Sequence, residues 1–345
     1  MKAAVVERPG VLALREIAIP QPGEYEVLCR LLYGATCTGT DLHLIDGTFP
    51  WPVKYPILLG HESIGRVVQL GSRVRNYRVG DLVTRVGTPP PAGSDLSVFG
   101  GGFAEYGIAG DHRAMREDGL PEERWKSCRI NAVLPPEFDP AAATMIVTWR
   151  ETLSYLTRMG MKTGDRVLVI GSGGNALSFA AHAVNLGAAQ VAVLGSVTRR
   201  DAAKTLGVQT YLDYRAAQPA KALAAVCPEG FDVAIDAVGK PGQADLAIVA
   251  LKPGGVIGVY GLDEFNALTL SLGKVWKPFR FHPLSYDEAE AHDAVVEYVR
   301  LGKLRAEPFM DLHGAFELEN LAAAFEHVRQ RQAVKALVRL SRDAS

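Results

Sequence analysis

The chain has 345 residues, 48% of them hydrophobic, and its 37 basic and 38 acidic residues leave a formal net charge of −1. That length suits two domains, and the balanced charge, with no basic block, excludes the electrostatic footprint of a nucleic-acid or membrane-surface binder. No window approaches the roughly 18 uninterrupted apolar residues of a membrane span, no signal-peptide core opens the chain, and Cys29, Cys37, Cys128 and Cys227 form no CxxC pair, so a reducing cytoplasm is the expected compartment.

Residues 1–135 are rich in β-branched residues, glycine and proline. Met1–Leu14 reads as an amphipathic strand and turn, Glu26–Leu32 and Ser63–Ser72 as alternating strands, Gly87–Gly102 as a loop, and Asp111–Lys126 as a surface insertion before a strand Cys128–Leu134. This texture predicts a small irregular β domain. At Asp139-Pro140 a helix start appears, and its helix runs to Met159. Strand and helix then alternate: strand Arg166–Ile170, helix Ala176–Leu186, strand Gln190–Leu194, helix Arg200–Leu206, strand Phe231–Asp236, helix Gln243–Leu251 and strand Val256–Tyr260. Alternation at this spacing predicts βαβ units and a doubly wound α/β sheet. A charged helix Tyr286–Leu301 and a helix–strand pair Asn320–Leu340 complete the chain.

The turn Gly171-Ser172-Gly173-Gly174-Asn175-Ala176 follows an apolar strand and opens a helix, the context in which GxGxxA binds a dinucleotide. Gly171 makes the tight turn, Gly173 admits a pyrophosphate, Ala176 lets helix and strand approach, and the helix amino terminus, starting at Gly174 and Asn175, offers N–H groups to phosphate. At the end of the next strand an NAD site usually carries an acid for the ribose hydroxyls. Here Gly195 and Ser196 stand there, followed by Arg199 and Arg200. A small residue leaves room for a 2′-phosphate and arginines fork onto its oxygens, so NADP(H) is the expected coenzyme; one of the two arginines also reads as a solvated helix-start charge.

The run Gly60-His61-Glu62-Ser-Ile-Gly-Arg-Val-Val-Gln-Leu-Gly-Ser, then Val79-Gly80-Asp81, with Cys37-Thr38-Gly39-Thr40-Asp41-Leu42-His43 upstream, resembles the zinc alcohol dehydrogenase branch of the medium-chain dehydrogenase/reductase family. Gly102-Phe-Ala-Glu-Tyr, Asp236-Ala-Val-Gly and Leu251-Lys-Pro-Gly-Gly extend the resemblance over essentially the whole chain. It implies a GroES-like β-rich catalytic domain, residues 1–140 and 283–345, around a Rossmann coenzyme domain, residues 141–282, with the active site in the cleft between them. It also implies a catalytic zinc on Cys37 and His61, with Glu62 as a further or transient ligand. Thr40 and His43 match a proton relay, and Tyr214 matches a residue flanking the adenosine phosphate of NADP-dependent relatives. A homodimer or homotetramer is the implied assembly.

Three features depart from the family pattern. Counting forward from Glu26 puts Cys37 at the ligand position, whereas counting back from Asp41 puts Thr38 there. No acid or thiol stands in register for a third ligand near Ala143–Arg150, and Glu151 falls several residues late. The four clustered cysteines of the family's structural zinc are missing from residues 84–105, so no structural zinc is expected. Two enzymatic readings follow: a zinc-assisted NADP(H) dehydrogenase of a secondary alcohol, polyol or sugar, or a zinc-independent NADPH reductase of enones or quinones. A non-catalytic NADPH-binding protein is the third. Trp149 and Phe279 read equally as pocket lining and as core, and the loops around 45–57 and 88–100 are expected to shape the substrate pocket.

Overall fold

The computed structural model describes residues 1–265, 269–271 and 273–341. The chain divides into one unit of Met1–Val147 with Phe309–Ser345 and another of Thr148–Pro308.

In the first unit the long strand Glu26–Ala35 is the hub. It pairs antiparallel with Glu62–Leu70, Tyr106–Gly110 and the late strand Leu337–Arg339. The seven-stranded sheet runs Phe316–Glu317, Leu337–Arg339, Glu26–Ala35, Glu62–Leu70, Leu82–Thr84, Ala132–Leu134, with Tyr106–Gly110 also on Glu26–Ala35. A four-stranded sheet orders Val11–Glu16, Lys2–Arg8, Ile57–Leu58, Ser97–Val98. Residues from both ends of the chain share one core: Ala3–Val6 pack in the same cluster as Phe325, Val338 and Leu340. The returning segment pairs with Glu26–Ala35 through Leu337–Arg339 and adds Phe325, Val338 and Leu340 to that core.

The second unit carries a six-stranded sheet, in order Thr210–Asp213, Gln190–Gly195, Arg166–Ile170, Phe231–Asp236, Leu251–Val259, Arg280–His282, every neighbouring pair parallel. Taken in chain order this is 3-2-1-4-5-6, the doubly wound dinucleotide-binding order. Val167–Ile170 are fully buried, as a central parallel strand covered on both faces requires. The helix Gly174–Asn185 buries Ala176, Ala180, Ala181 and Ala183, small side chains that let its backbone lie close to the sheet.

The observed elements differ from the sequence reading where apolar periodicity is weak. Strand Thr210–Asp213, helix Pro219–Val226 and edge strand Arg280–His282 were not foreseen; none of the strand residues reaches full burial. The expected strand Cys128–Leu134 is a 3₁₀ turn Lys126–Ile130 followed by strand Ala132–Leu134. Asn131 sets that boundary, accepting from Gly110 N–H at 3.0 Å and donating to the Arg85 carbonyl at 2.8 Å. The charged helix is shorter than expected, His292–Arg300 after a turn Glu288–Ala291. Return to the first unit, expected at 283, falls at Phe309. Side chains of the intervening segment are committed to the second unit: Glu288 accepts from buried Arg150 at 2.7 Å, and Glu290 from Arg158 Nε at 2.7 Å.

Candidate functional site

Each unit carries one cluster of the expected residues. In the first, Ala35 lies opposite both Glu62 and Leu337 in the sheet. The chain leaving Ala35 therefore passes Cys37 in front of the strand that opens at Glu62, with Lys335 arriving from the other side. Ligating atoms of Cys37, His61 and Glu62 all lie within 4.8 Å of one another, and all three residues are buried. Cys37 is thus the residue that meets His61 and Glu62.

Asp41, which sequence reasoning assigned no role, organises this cluster. Its Oδ2 accepts the Cys37 N–H at 2.9 Å, and its Oδ1 faces His61 Nδ1 at 3.3 Å. Burial by itself would depress the His61 imidazole, but the Asp41 carboxylate, aided by Cys37, holds it well above an ordinary histidine. His61 Nε2 looks toward Glu62 Oε1 at 3.9 Å. Lys335 is the other unforeseen member. Its Nζ donates to Glu62 Oε1 at 2.7 Å and Oε2 at 2.5 Å, and to the Thr36 carbonyl at 3.3 Å. Burial lowers this ammonium's proton affinity, yet Glu62 outweighs it and the pKa is raised. A lysine inside the apolar run Ala333-Val-Lys335-Ala-Leu-Val338 was the available signal, since buried lysines are rare unless paired.

Thr40 is the N-cap residue of the one-turn helix Asp41–Asp46, which carries His43. His43 Nδ1 meets Thr48 Oγ1 at 2.8 Å. The loops around 45–57 and 88–100 bring aromatic rings to the cluster. Phe99 stands edge-on to His61 at 6.1 Å, Phe49 to Phe99 at 5.0 Å, and Trp51, 41% exposed, lies 5.1 Å from Phe49.

A thiolate, an imidazole and a carboxylate are the donor set of a catalytic zinc site, which needs three protein ligands and an open position. An imidazole whose other nitrogen faces a carboxylate is likewise the arrangement that orients metal-binding histidines. The residues therefore fit zinc, with the Glu62 arm drawn to Lys335. Glu151 belongs to the second unit, where it accepts from Tyr260 Oη at 3.2 Å.

In the second unit Gly171 follows strand Arg166–Ile170 with φ of 121°, and its N–H donates to the Leu194 carbonyl at 2.9 Å. A β-carbon there would press on Val238 at 3.1 Å and Ala176 at 3.3 Å. Gly173 is extended and exposed, and a β-carbon on it would meet nothing among the described residues within 4 Å. The helix begins at Gly174, so the N–H groups of Gly174, Asn175 and Ala176 are in its open first turn. At the next strand end Ser196 N–H donates to Ser172 Oγ at 3.0 Å, and Tyr211 Oη donates to the Ser196 carbonyl at 2.6 Å. Arg200 lies 5.9 Å from the Tyr211 ring, and Arg199 and Arg200 both act on its hydroxyl electrostatically. Tyr214, whose N–H donates to the Gly195 carbonyl at 3.1 Å, takes a hydrogen bond from Arg215 Nε at 2.9 Å. Gly195, Ser196, Arg199, Arg200 and Tyr214 thus surround one strand end. Trp149 is core, 2% exposed, and Phe279 packs on the core beneath the sheet. A cavity of about 260 Å³ at the carboxyl ends of the sheet is lined by Asp236, Lys240, Val259, Phe265 and Phe281 among others. Burial raises the Asp236 carboxyl, although it accepts from Val238 and Gly239 N–H.

A doubly wound unit with a glycine turn at its topological switch, and a β-rich unit holding a Cys-His-Glu cluster, define a two-domain dehydrogenase architecture. Residues 23–119 match the family model described as an alcohol dehydrogenase GroES-like domain, and residues 171–280 match the zinc-binding dehydrogenase model. Sorbitol dehydrogenase of Ovis aries is 30% identical over 272 residues, 75% of each chain. D-arabinitol dehydrogenase 1 of Uromyces fabae is 26% identical over 98% of this chain and 97% of its own. Acryloyl-coenzyme A reductase of Sulfurisphaera tokodaii is 27% identical over 98% and 100%. With alcohol dehydrogenase 1 of Emericella nidulans the match spans 61% of each chain at 28% identity. The fold is that of 2R,3R-butanediol dehydrogenase of Bacillus subtilis, with a TM-score of 0.79 over 98% of this chain and 99% of that one at 22% identity. The chain belongs to the zinc-type medium-chain dehydrogenase/reductase family, a family of oxidoreductases.

Proposed function

We propose that the protein interconverts an alcohol (a secondary alcohol, polyol or sugar) and its carbonyl by hydride transfer with NADP(H), assisted by zinc on Cys37, His61 and Glu62. The observation that carries this reading is the buried convergence of those three donors within 4.8 Å. When bound, zinc supplies Lewis acidity that polarises the substrate oxygen. Asp41 holds Cys37 and His61 in place through its two oxygens. Thr40 Oγ1 accepts the alcohol proton as it gives up its own, and His43, three residues on, passes a proton on to solvent. The open helix turn at Gly174 receives the pyrophosphate, Gly173 leaves it room, and Arg199, Arg200 and Tyr214 receive the 2′-phosphate.

The test is metal analysis of the purified protein together with turnover of a carbonyl panel with NADPH and NADH. Bound zinc, turnover with NADPH in preference to NADH, and loss of both metal and turnover in His61→Ala are expected. Zinc-free protein with full ketone turnover would overturn the metal assignment.

The second reading, a zinc-independent NADPH reductase of enones or quinones, is favoured by one observation: Lys335 engages both oxygens of Glu62. The likeness to acryloyl-coenzyme A reductase is consistent with it. Chelator-treated protein that keeps enone reduction while alcohols go unoxidised selects this reading.

We assign a homodimer or homotetramer to the protein, built on the sheet-edge strand Arg280–His282. Phe281 is 51% exposed there and Trp276 78%, an apolar edge that soluble proteins otherwise cover. Light scattering is expected to give a multiple of the chain mass, and Phe281→Asp a smaller species. The four cysteines are free, which suits a reducing cytoplasm. Among the described residues no helix is long and apolar enough to cross a membrane.

A further inference from the structure

Glycine at position 195 has a physical cause that the coenzyme reading alone does not supply. This strand end is where an NAD site carries its acid, and glycine there suggests room for a phosphate. The space beside the Gly195 α-carbon is instead filled by protein. A β-carbon there would stand 2.5 Å from Tyr211 Oη and 2.6 Å from Ser172 Cβ, well inside van der Waals contact.

Tyr211 is fixed where it stands. It belongs to the neighbouring parallel strand, paired with Val193, and its hydroxyl donates to the Ser196 carbonyl at 2.6 Å. The same residue's N–H donates to Ser172 Oγ at 3.0 Å, and Ser172 is the second residue of the glycine turn. Arg200, at the start of helix Arg200–Thr205, lies 5.9 Å from the Tyr211 ring. One phenol therefore ties the glycine turn, the strand end and the following helix together.

We infer that Tyr211, with Ser172, is a positioning residue for coenzyme choice. It denies position 195 any side chain, acids included, and it holds Ser196 and Arg200 in the arrangement that accepts a 2′-phosphate. The inference rests on the NADP(H) reading for the second half only; the exclusion is a property of the chain itself.

Dissociation constants for NADPH and NADH, measured on the full-length protein by fluorescence titration, test it alongside coenzyme-free melting curves. Tyr211→Phe removes one hydrogen bond from Ser196 and keeps the ring. It is expected to weaken NADPH about 5-fold and leave NADH within about 2-fold, whereas a merely structural role would weaken both alike. Gly195→Asp is expected to lower the melting temperature, to weaken NADPH on the order of 100-fold through overpacking and charge repulsion, and to gain no NADH affinity. Adding Ser172→Gly and Tyr211→Ala to Gly195→Asp makes room for the carboxylate and should raise NADH affinity about 10-fold over Gly195→Asp alone. Gly195→Asp that melts like wild type, or that binds NADH as tightly as wild type binds NADPH, overturns the exclusion. Tyr211→Phe weakening both coenzymes equally, or neither, overturns the positioning role. Wild type preferring NADH overturns the NADP(H) reading instead, and the melting comparison still decides the exclusion.

Discussion

Lys335 and Glu62 are 3% and 2% exposed, and their contact sits within reach of Cys37 and His61. A buried ion pair adds little net stability, but removing one partner leaves the other charge uncompensated. Lys335→Met is therefore expected to destabilise the first unit by about 3–5 kcal/mol in chelator, with Glu62→Gln/Lys335→Met recovering most of the loss. Urea unfolding followed by intrinsic fluorescence measures both. The same substitution takes the Lys335 ammonium away from the Glu62 carboxylate, so added zinc should raise the midpoint of Lys335→Met more than that of wild type, because a ligand that binds only the folded state stabilises by its affinity. Lys335→Met as stable as wild type in chelator would show that no charge was being neutralised there. Asp41 poses a related question: it contacts Cys37 and His61 at once, so its loss should loosen both side chains together.

Under the proposed function, strand Arg166–Ile170, the turn after it and helix Gly174–Asn185 receive the coenzyme, and the two glycines of that turn make opposite predictions. Gly171→Ala forces a side chain into φ of 121° against Val238, at a cost of about 1–3 kcal/mol. Gly173→Ala projects into open space, so stability should change by less than ~0.5 kcal/mol while NADPH affinity falls about 10-fold or more through lost pyrophosphate approach. Thermal melting and coenzyme titration of the two variants separate the roles. His182 on the same helix gives a pH signature. Burial, partly offset by the Trp149 backbone, depresses it from 6.5 to about 3. Folded chains keep it neutral where unfolded chains protonate it, so its contribution is complete above pH 6.5 and is lost as pH falls toward 3. Between pH 7 and pH 5 that amounts to about 2 kcal/mol, and His182→Leu should remove this part of the pH dependence in urea unfolding. Strong apolar runs such as Val167–Ile170 made these elements legible from sequence. Thr210–Asp213 and Arg280–His282, short and only partly buried, carry no such pattern, and pairing with a neighbouring strand makes them strands.

At the scale of the molecule, the chain order of strands foretold the doubly wound sheet, and local motifs singled out Cys37, His61 and Glu62, whose ligating atoms lie within 4.8 Å of one another. Asp41 and Lys335 were not legible as members of the site, because their partners there, His61 and Glu62, are brought to them by the fold from distant stretches of sequence. Tyr211 was hidden for a like reason: its partner Ser196 lies 15 residues away, just past the end of the adjoining strand. The division of the chain has a similar origin. Nothing local in residues 283–308 says which unit they join, but Arg150 is fully buried and pairs with Glu288 at 2.7 Å, which commits the segment to the second unit. A fragment of residues 148–308 expressed alone is therefore expected to fold cooperatively and to bind NADPH, since it keeps both the complete parallel sheet and the glycine turn. A fragment of residues 141–282 removes Glu288 and leaves Arg150 to bury its charge without that carboxylate, a loss of about 3–5 kcal/mol against a domain stability of about 5–15. It should melt far lower or fail to fold, and Arg150→Met should rescue it in part. Circular-dichroism melting of the two fragments and the Arg150→Met variant checks this; equal stability of 141–282 and 148–308 would return the boundary to residue 283.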